Sequence, residues 1–391
     1  MKLNLRPAPA QQNENTRLNI LTMKRLLTLC SILMLLVCCN KQPVTPPSPQ
    51  KATSLLVLNN GNWGYNDASI SAYDFSSGLS SAEGEQFFKA NGIKLGDLGQ
   101  DILRCGDMLI IAVNGSKIIF ATDLNLKTIC SIKAQAGDNE LSPRYLCKAD
   151  GKVYVSYYEG WLGEILLDDI AKIKSDDLSG SETIKPARLC KVGPNPEGLA
   201  YSDGKIYVAN SGGTLWQSGY NNTVSVVDAS RFAETSVYNV NCNPQNIIIS
   251  PDGKSLYVSS FGNYADLAPK LEKIELSSGA CSDLAYDNVS SIAACGDLLI
   301  VACGKVTSFE PYTVEATLYK YDMAEGKDKG LFCEDIFTPY YSLSCDVSAG
   351  LVFVGTGLYS GTGDMDVYDK DGERKYSFDT AGFFPIKAIA L

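Results

Sequence analysis

The 391-residue chain contains no histidine. That absence removes the usual general base, the usual zinc ligand and every Ser/His/Asp or Cys/His catalytic arrangement. CxxC pairs are missing too, so cysteine-based metal clusters are not supported. The ten cysteines after Cys39 read mainly as buried free thiols, although Cys295 and Cys303 are close enough in sequence to meet across a hairpin. Basic residues are the minority, 34 Lys+Arg against 44 Asp+Glu for a net charge of −10, which argues against a nucleic-acid partner. Tryptophan is scarce, with three residues, so where each one falls carries information.

What remains is an ordinary globular composition, 45% hydrophobic and 20% charged. Near the N-terminus, Lys24 and Arg25 precede an apolar run from Leu26 to Val37. That order, with an apolar stretch short for a membrane span, reads as a signal peptide over residues 1–38 with Met23 as the true start. The run ends in Leu36-Val37-Cys38-Cys39, which resembles the bacterial lipoprotein box with Cys39 as the lipidated residue; Cys38 stands where Gly, Ala or Ser is usual. A plain secretory signal with incidental cysteines is the other reading. Residues 39–53 then make a lipidated, Pro-rich tether, and residues 54–391 the folded domain. Without the first 38 residues the chain loses five Lys/Arg and one Glu and carries a net charge of −14.

Beyond Ser54 the chain repeats itself. "DGKVYVSYYEG" from Asp150, "DGKIYVANSGG" from Asp203 and "DGKSLYVSSFGN" from Asp252 are the clearest copies, with weaker ones from Cys105, Cys295 and Ser348. Each is a tight Gly turn leading into a β-rich strand that ends in a polar loop. A further strand follows and closes on an acid: Asp74, Asp123, Asp168, Asp228, Glu275, Asp322 or Asp369. Those acids are expected to cap the next turn by accepting backbone N–H bonds, in preference to holding metal. A proline near Ser142, Asn195, Asn243, Thr338 or Phe383 announces the first strand of several units, where a missing N–H does no harm. Four short strands repeating about every 42 to 53 residues describe one blade of a β-propeller. The expectation is all-β and seven-bladed, with the C-terminal strand "IKAIAL" pairing into blade one so that no edge is left open.

The Tyr207-Val208-Ala209-Asn210 pattern, with variants at Tyr154 and Tyr257, resembles the YVTN or YncE-like β-propeller family, over nearly all of residues 54–391. Together with "VLNNGNWGYNDASISAYD" it looks like surface-layer-type lipoproteins of gut Gram-negative bacteria. One group within that relationship captures cobalamin above an outer-membrane transporter. The resemblance therefore implies corrinoid binding, a location at the outer membrane on the cell surface or its periplasmic face, and a transporter as partner. It carries over no ligand contact residue by residue.

All three tryptophans, Trp63, Trp161 and Trp216, fall in segments joining the second and third strands of a blade. So do Tyr65, Tyr157, Tyr158, Tyr220, Phe261, Tyr264, Phe309, Tyr312 and Tyr359. One reading is that these rings fold back to close gaps between blades. The other, favoured by their segregation to one face, is a surface that binds a small molecule. The strand entrances should add Arg144, Glu197, Gln245, Tyr340 and Phe384 beside the central channel, where Arg144 either meets an anionic group or pairs with Glu197. The ligand set drawn from this is Trp63, Tyr65, Arg144, Tyr158, Trp161, Glu197, Trp216, Tyr220, Gln245, Tyr264, Tyr340 and Tyr359, with no cofactor and no metal. A protein or polysaccharide interaction module is the alternative function. A hydrolase or lyase working through loop acids such as Glu159, Glu164, Glu197, Glu310 or Asp364 ranks third, because paired carboxylates are the one acid–base device open to a chain without histidine.

Overall fold

A computed structural model of the chain describes residues 52–175, 180, 182–310, 312–357 and 361–391. The positions assigned to the signal peptide and most of the tether, Cys39 among them, lie outside the described residues.

The second strand of each blade shows why the ring forms. In Met108–Val113 and Ser255–Ser260 every residue is buried, because both faces of the strand meet a neighbouring blade. Alternate residues then belong to different interfaces. Leu55 and Val57 pack toward blade seven, while Leu56 and Leu58 pack toward blade two. Seven apolar clusters arise in this way, one between each pair of adjacent blades. The YV-x-N pattern is one instance: Tyr207 packs toward blade five, Val208 toward blade three, and buried Asn210 donates from Nδ2 to Ser225 Oγ at 2.9 Å.

The sheets follow chain order around a seven-bladed ring. Blade one holds Ser54–Asn59 and Ser69–Asp74, and its innermost strand is the C-terminal Pro385–Ala390, antiparallel to Ser54–Asn59 as expected. Blades two to seven begin with innermost strands Gly99–Cys105, Pro143–Ala149, Pro196–Ser202, Pro244–Ile249, Val289–Cys295 and Tyr340–Asp346. Blade two gains a fifth strand, Thr183–Ile184, parallel to Thr128–Ile132 and supplied by the blade-three connection.

On one face the first two strands join through tight turns. Asp150-Gly151 and Asp203-Gly204 both place two residues at positive φ, the type I′ pattern that matches strand twist. The turn acids act largely as expected. Asp74, Asp123, Asp228, Asp322 and Asp369 accept backbone N–H groups two to four residues on. Two differ: Glu275 bonds Ser255 and Lys273 instead, and Asp168 lies in the helix Leu167–Ser175, whose positive N-terminal end suits Asp168 and Asp169. The ten cysteines among the described residues are free thiols, and Cys295 and Cys303 face Leu298 and Val289 rather than each other.

Candidate functional site

A bulge lies near the start of every innermost strand. The pairing with the second strand shifts between Gly99 and Asp101, Pro244 and Asn246, Val289 and Ser291, and Tyr340 and Ser342, and similarly in the other three blades. A bulge re-aims the side chain it releases from the ladder. The residues freed in this way are Gln100, Arg144, Glu197, Gln245, Ser290, Tyr341 and Ile386, one per blade, and all but Glu197 line the mouth of the central channel. At blade four the bulge also needs Gly198, because a Cβ there would lie 2.6 Å from the Gln245 carbonyl oxygen.

This ring contains three of the five entrance residues expected from the sequence: Arg144, Glu197 and Gln245. Tyr340 and Phe384 are displaced from the channel mouth: both are buried, at 8% and 6% exposure, and the lumen receives Tyr341 and Ile386 in their place, while Tyr340 lines a second, adjoining cavity. In blade seven Pro339 stands one residue before the strand instead of opening it. Tyr340, paired with Thr356, therefore takes the position that Pro196, paired with Asn210, takes in blade four. Phe384 is held at positive φ just outside its strand. Its carbonyl accepts the Asn60 N–H, and its ring packs on Tyr341 at 4.9 Å.

The channel mouth is a cavity of about 550 Å³. Arg144 reaches Glu197 Oε2 from both Nε and Nη2, at 2.8 and 2.6 Å, and donates from Nη1 to Gln100 Oε1 at 2.8 Å. Of its two sequence readings, pairing with Glu197 is therefore the one seen. Burial pushes the Glu197 carboxyl above its ordinary range against the pull of Arg144. Below this pair, Lys387 Nζ meets Asp101 Oδ1 at 2.6 Å, and Asp101 also accepts the N–H groups of Ile102 and Leu146. Tyr145 lies alongside, its hydroxyl pushed up to about 12 by burial.

A second cavity of about 880 Å³ adjoins the first over blades five to seven. The two share Phe261, Ser290 and Tyr341, so they form one cleft. Its outer wall corrects the sequence reading of residues 303–316 as a loop. The strands Leu298–Phe309 and Tyr312–Asp322 continue their pairing past the edge of the blade, with Lys305 opposite Glu315 and Phe309 opposite Tyr312. This hairpin brings Val306, Val314 and Phe309 to the groove, opposite Tyr264 and Pro269 of blade five. Phe309 and Tyr264 are 82% and 69% exposed, so their rings offer open contact area. Sequence reading placed Phe309 on this face; only the extended register shows that it tops a wall.

The other expected aromatics scatter. Trp63 and Tyr65 are 80% and 75% exposed, outside both cavities, on a loop tied toward blade two by Gly64 N–H to Asp97 and Asn60 Nδ2 to the Gly99 carbonyl. Trp216 lies on the 3-10 helix Gly213–Ser218 and is 61% exposed, and Tyr220 meets Tyr264 at 6.0 Å between ring centroids. Tyr157 and Trp161 are corrections. Tyr157 ends its strand fully buried, and Trp161 starts the next strand, half-buried against the core between blades two and three with Lys191 over its ring at 4.9 Å. Tyr158 flanks Arg144 at 5.4 Å. Tyr359 lies outside the described residues.

Among the loop acids Glu159, Glu164 and Glu197 hold structural bonds, whereas Asp364 faces another carboxylate. Glu159 accepts from the backbone N–H and Oγ of Ser142, Glu164 binds Lys152 and Arg188, and Asp364 sits opposite Asp379 on the outer strands of blade seven. Among the described residues no group of three or more Cys, Asp or Glu is placed to hold a metal ion.

No protein-family model and no curated protein matches the sequence. Solved structures do match the fold. A Bacteroides uniformis protein provisionally described as a 6-phosphogluconolactonase superposes with a TM-score of 0.59 at 10% identity, over 88% of this chain and 100% of its own. A functionally unknown protein from Desulfotomaculum acetoxidans gives 0.55 at 12% identity, over 87% and 99%. The computationally designed Ika8 protein gives 0.52 at 10% identity, over 87% and 91%. At these identities the likeness is one of fold alone, and a propeller scaffold hosts many unrelated activities.

Proposed function

We propose that this propeller is a ligand-capturing binding protein of the bacterial cell envelope, tethered through Cys39, whose site is the continuous cleft from the channel mouth to the groove over blades five to seven. The carrying observation is the shared wall of Phe261, Ser290 and Tyr341, which joins a pocket of mixed polar and aliphatic lining to an aromatic ledge. An amphiphilic small molecule matches that profile: its apolar body lies on Tyr264, Phe309 and Val306, and its polar end reaches Gln245, Asn246 and the channel serines. Binding is favoured over hydrolysis because Glu159, Glu164 and Glu197 are already committed to protein partners.

A corrinoid is the specific candidate, drawn from the lipoprotein resemblance, and a broad macrocycle edged with amides suits an open aromatic groove. The described chain enters the ring on the turn face, where the Thr53 N–H bonds the Leu391 carbonyl. Calorimetric titration of the purified protein with cobalamin tests this form: a saturable signal at micromolar protein supports it, and no heat together with no co-elution removes the corrinoid.

The second reading, docking on a protein such as an outer-membrane transporter, is favoured by Trp63, Tyr65 and Trp216. These exposed rings lie outside both cavities and would be idle in small-molecule capture alone. Co-purification from solubilised envelopes without added ligand is the result it expects.

A further inference from the structure

The wall of the channel is electrically one-sided. Lys387 of blade one, Asp101 of blade two and Arg144 of blade three line the cavity on one side, whereas blades five to seven face it with Gln245, Asn246 and serines. Each cation has an acid partner, but the partners differ in depth. The side chains of Arg144 and Lys387 are 21% and 29% exposed, while those of Glu197 and Asp101 are 4% each. A solute entering the channel therefore meets Arg144 ahead of Glu197, which lies outside the cavity lining, and meets Lys387 beside the less exposed Asp101.

The two cations also keep donors to spare. Arg144 directs three N–H groups to Glu197 and Gln100 out of the five that a guanidinium carries, and Lys387 directs one of three to Asp101. Gln100 and the rings of Tyr145 and Tyr158, at 5.8 and 5.4 Å, fix the guanidinium in place, so little ordering remains to be done on binding. In a chain of net charge −10 such a patch, neutral in sum but with its cations the more exposed members, lies inside a low-dielectric cavity where a charged contact counts for more than at the surface.

We propose that this wall is an anion subsite, which takes a single carboxylate, sulfonate or phosphodiester group at the polar end of the ligand, through Arg144 and Lys387. The assignment rests on the ligand-capture reading above and adds a charge requirement to it. One negative charge fits better than two, because the acids behind the cations already balance both.

A probe pair separates the two statements. 8-Anilinonaphthalene-1-sulfonate and its uncharged parent, N-phenyl-1-naphthylamine, share an aromatic body and differ by the sulfonate. Fluorescence titration of the purified protein should show the sulfonate bound about tenfold more tightly than the parent, the worth of one charge-assisted hydrogen bond. That preference should fall to about twofold or less in the double variants Lys387→Met/Asp101→Asn and Arg144→Gln/Glu197→Gln, each of which removes both charges of its pair and leaves no lone buried ion. Equal affinity for the two probes in the unaltered protein, or a preference that survives both variants, overturns the anion subsite and leaves the cleft standing. Binding of neither probe overturns the cleft and the subsite together.

Discussion

On the turn face of the ring, Asp74, Asp123, Asp228, Asp322 and Asp369 each close a connection with their own carboxylate, while the connections on the loop face share a backbone clamp at their base, even where Asp67 or Asn263 also accepts N–H groups within its own loop. There the residue following the second strand donates its N–H to the carbonyl just before the innermost strand of the same blade: Asn60 to Phe384, Tyr158 to Ser142, Ser211 to Asn195 and Phe261 to Asn243; in blade six, where the second strand runs on, Gly304 within it does the same to Asn288. A turn closed by its own side chain has little room for insertion. A loop clamped at its base can lengthen above the clamp without disturbing the strands, and the 3-10 helix of blade four and the long hairpin of blade six are two such extensions. The clamp separates fold from function within one blade.

The comparison breaks most visibly where the loop face is also structural. Glu197→Ala leaves the Arg144 guanidinium without its buried partner, and the expected loss is about 3 kcal/mol of unfolding free energy, read from guanidinium denaturation. A loss within error of zero would mean that water replaces the carboxylate and that the pair belongs to the site alone. Next in size, Phe309→Ala should weaken ligand binding about tenfold while leaving the melting temperature within about 1 °C, because the ring is 82% exposed. The opposite pattern would make the hairpin a packing element and not a wall.

Asp369→Ala should do the reverse on the turn face, lowering the melting temperature by about 1–2 °C with no change in ligand affinity. The turn acids also set a pH dependence. Asp74 and Asp228 are held below the usual carboxylate range, the first mainly by the Ser76 hydroxyl and the second mainly by the Arg231 N–H, and Asp369 is held low by Lys375 and by turn N–H groups despite its partial burial. A depressed folded-state value means that the unfolded chain takes up protons first as the solution is acidified. Their stabilisation is therefore complete above about pH 4 and is lost as the pH falls further. Melting temperature measured from pH 5 down to pH 3 should decline, and less steeply in the Asp74→Ala/Asp228→Ala/Asp369→Ala variant.

The same contrast explains what could be read from the sequence. Blade count, ring closure and five of the seven acid caps follow from local patterns: Asp-Gly turns, apolar runs and prolines at strand starts. The channel ring was legible where a proline opens the strand, as at Arg144, Glu197 and Gln245. It was missed where register decides, since Tyr340 and Tyr341 differ by one residue and opposite faces. Ile386 follows the strand-opening Pro385 just as Arg144 follows Pro143, so its marker is present, but sequence reading picks Phe384 on the other side of the proline. Gln100 and Ser290 carry no marker of their own, and become visible only once the bulge repeats in all seven blades. Trp161 shows the limit from the other side, because an aromatic next to a Gly reads as loop until pairing with Tyr157 makes it the first residue of a strand.

Trp63 supplies the smallest and most discriminating change. Its loop is clamped at the base like the others, through Asn60 and Gly61 to Phe384 and Phe383, and its ring stands 80% exposed, away from the cleft. Trp63→Ala should therefore move the melting temperature by less than about 1 °C and small-ligand affinity by less than about twofold. Recovery of a partner protein from solubilised envelopes should fall in the same variant, since a large rigid ring outside the cavity has a macromolecule as its natural contact. A tenfold loss of small-ligand affinity would place Trp63 against the bound molecule and extend the site from blade seven to the adjoining blade one, where the Tyr341 hydroxyl already bonds Asn60 at the base of the Trp63 loop.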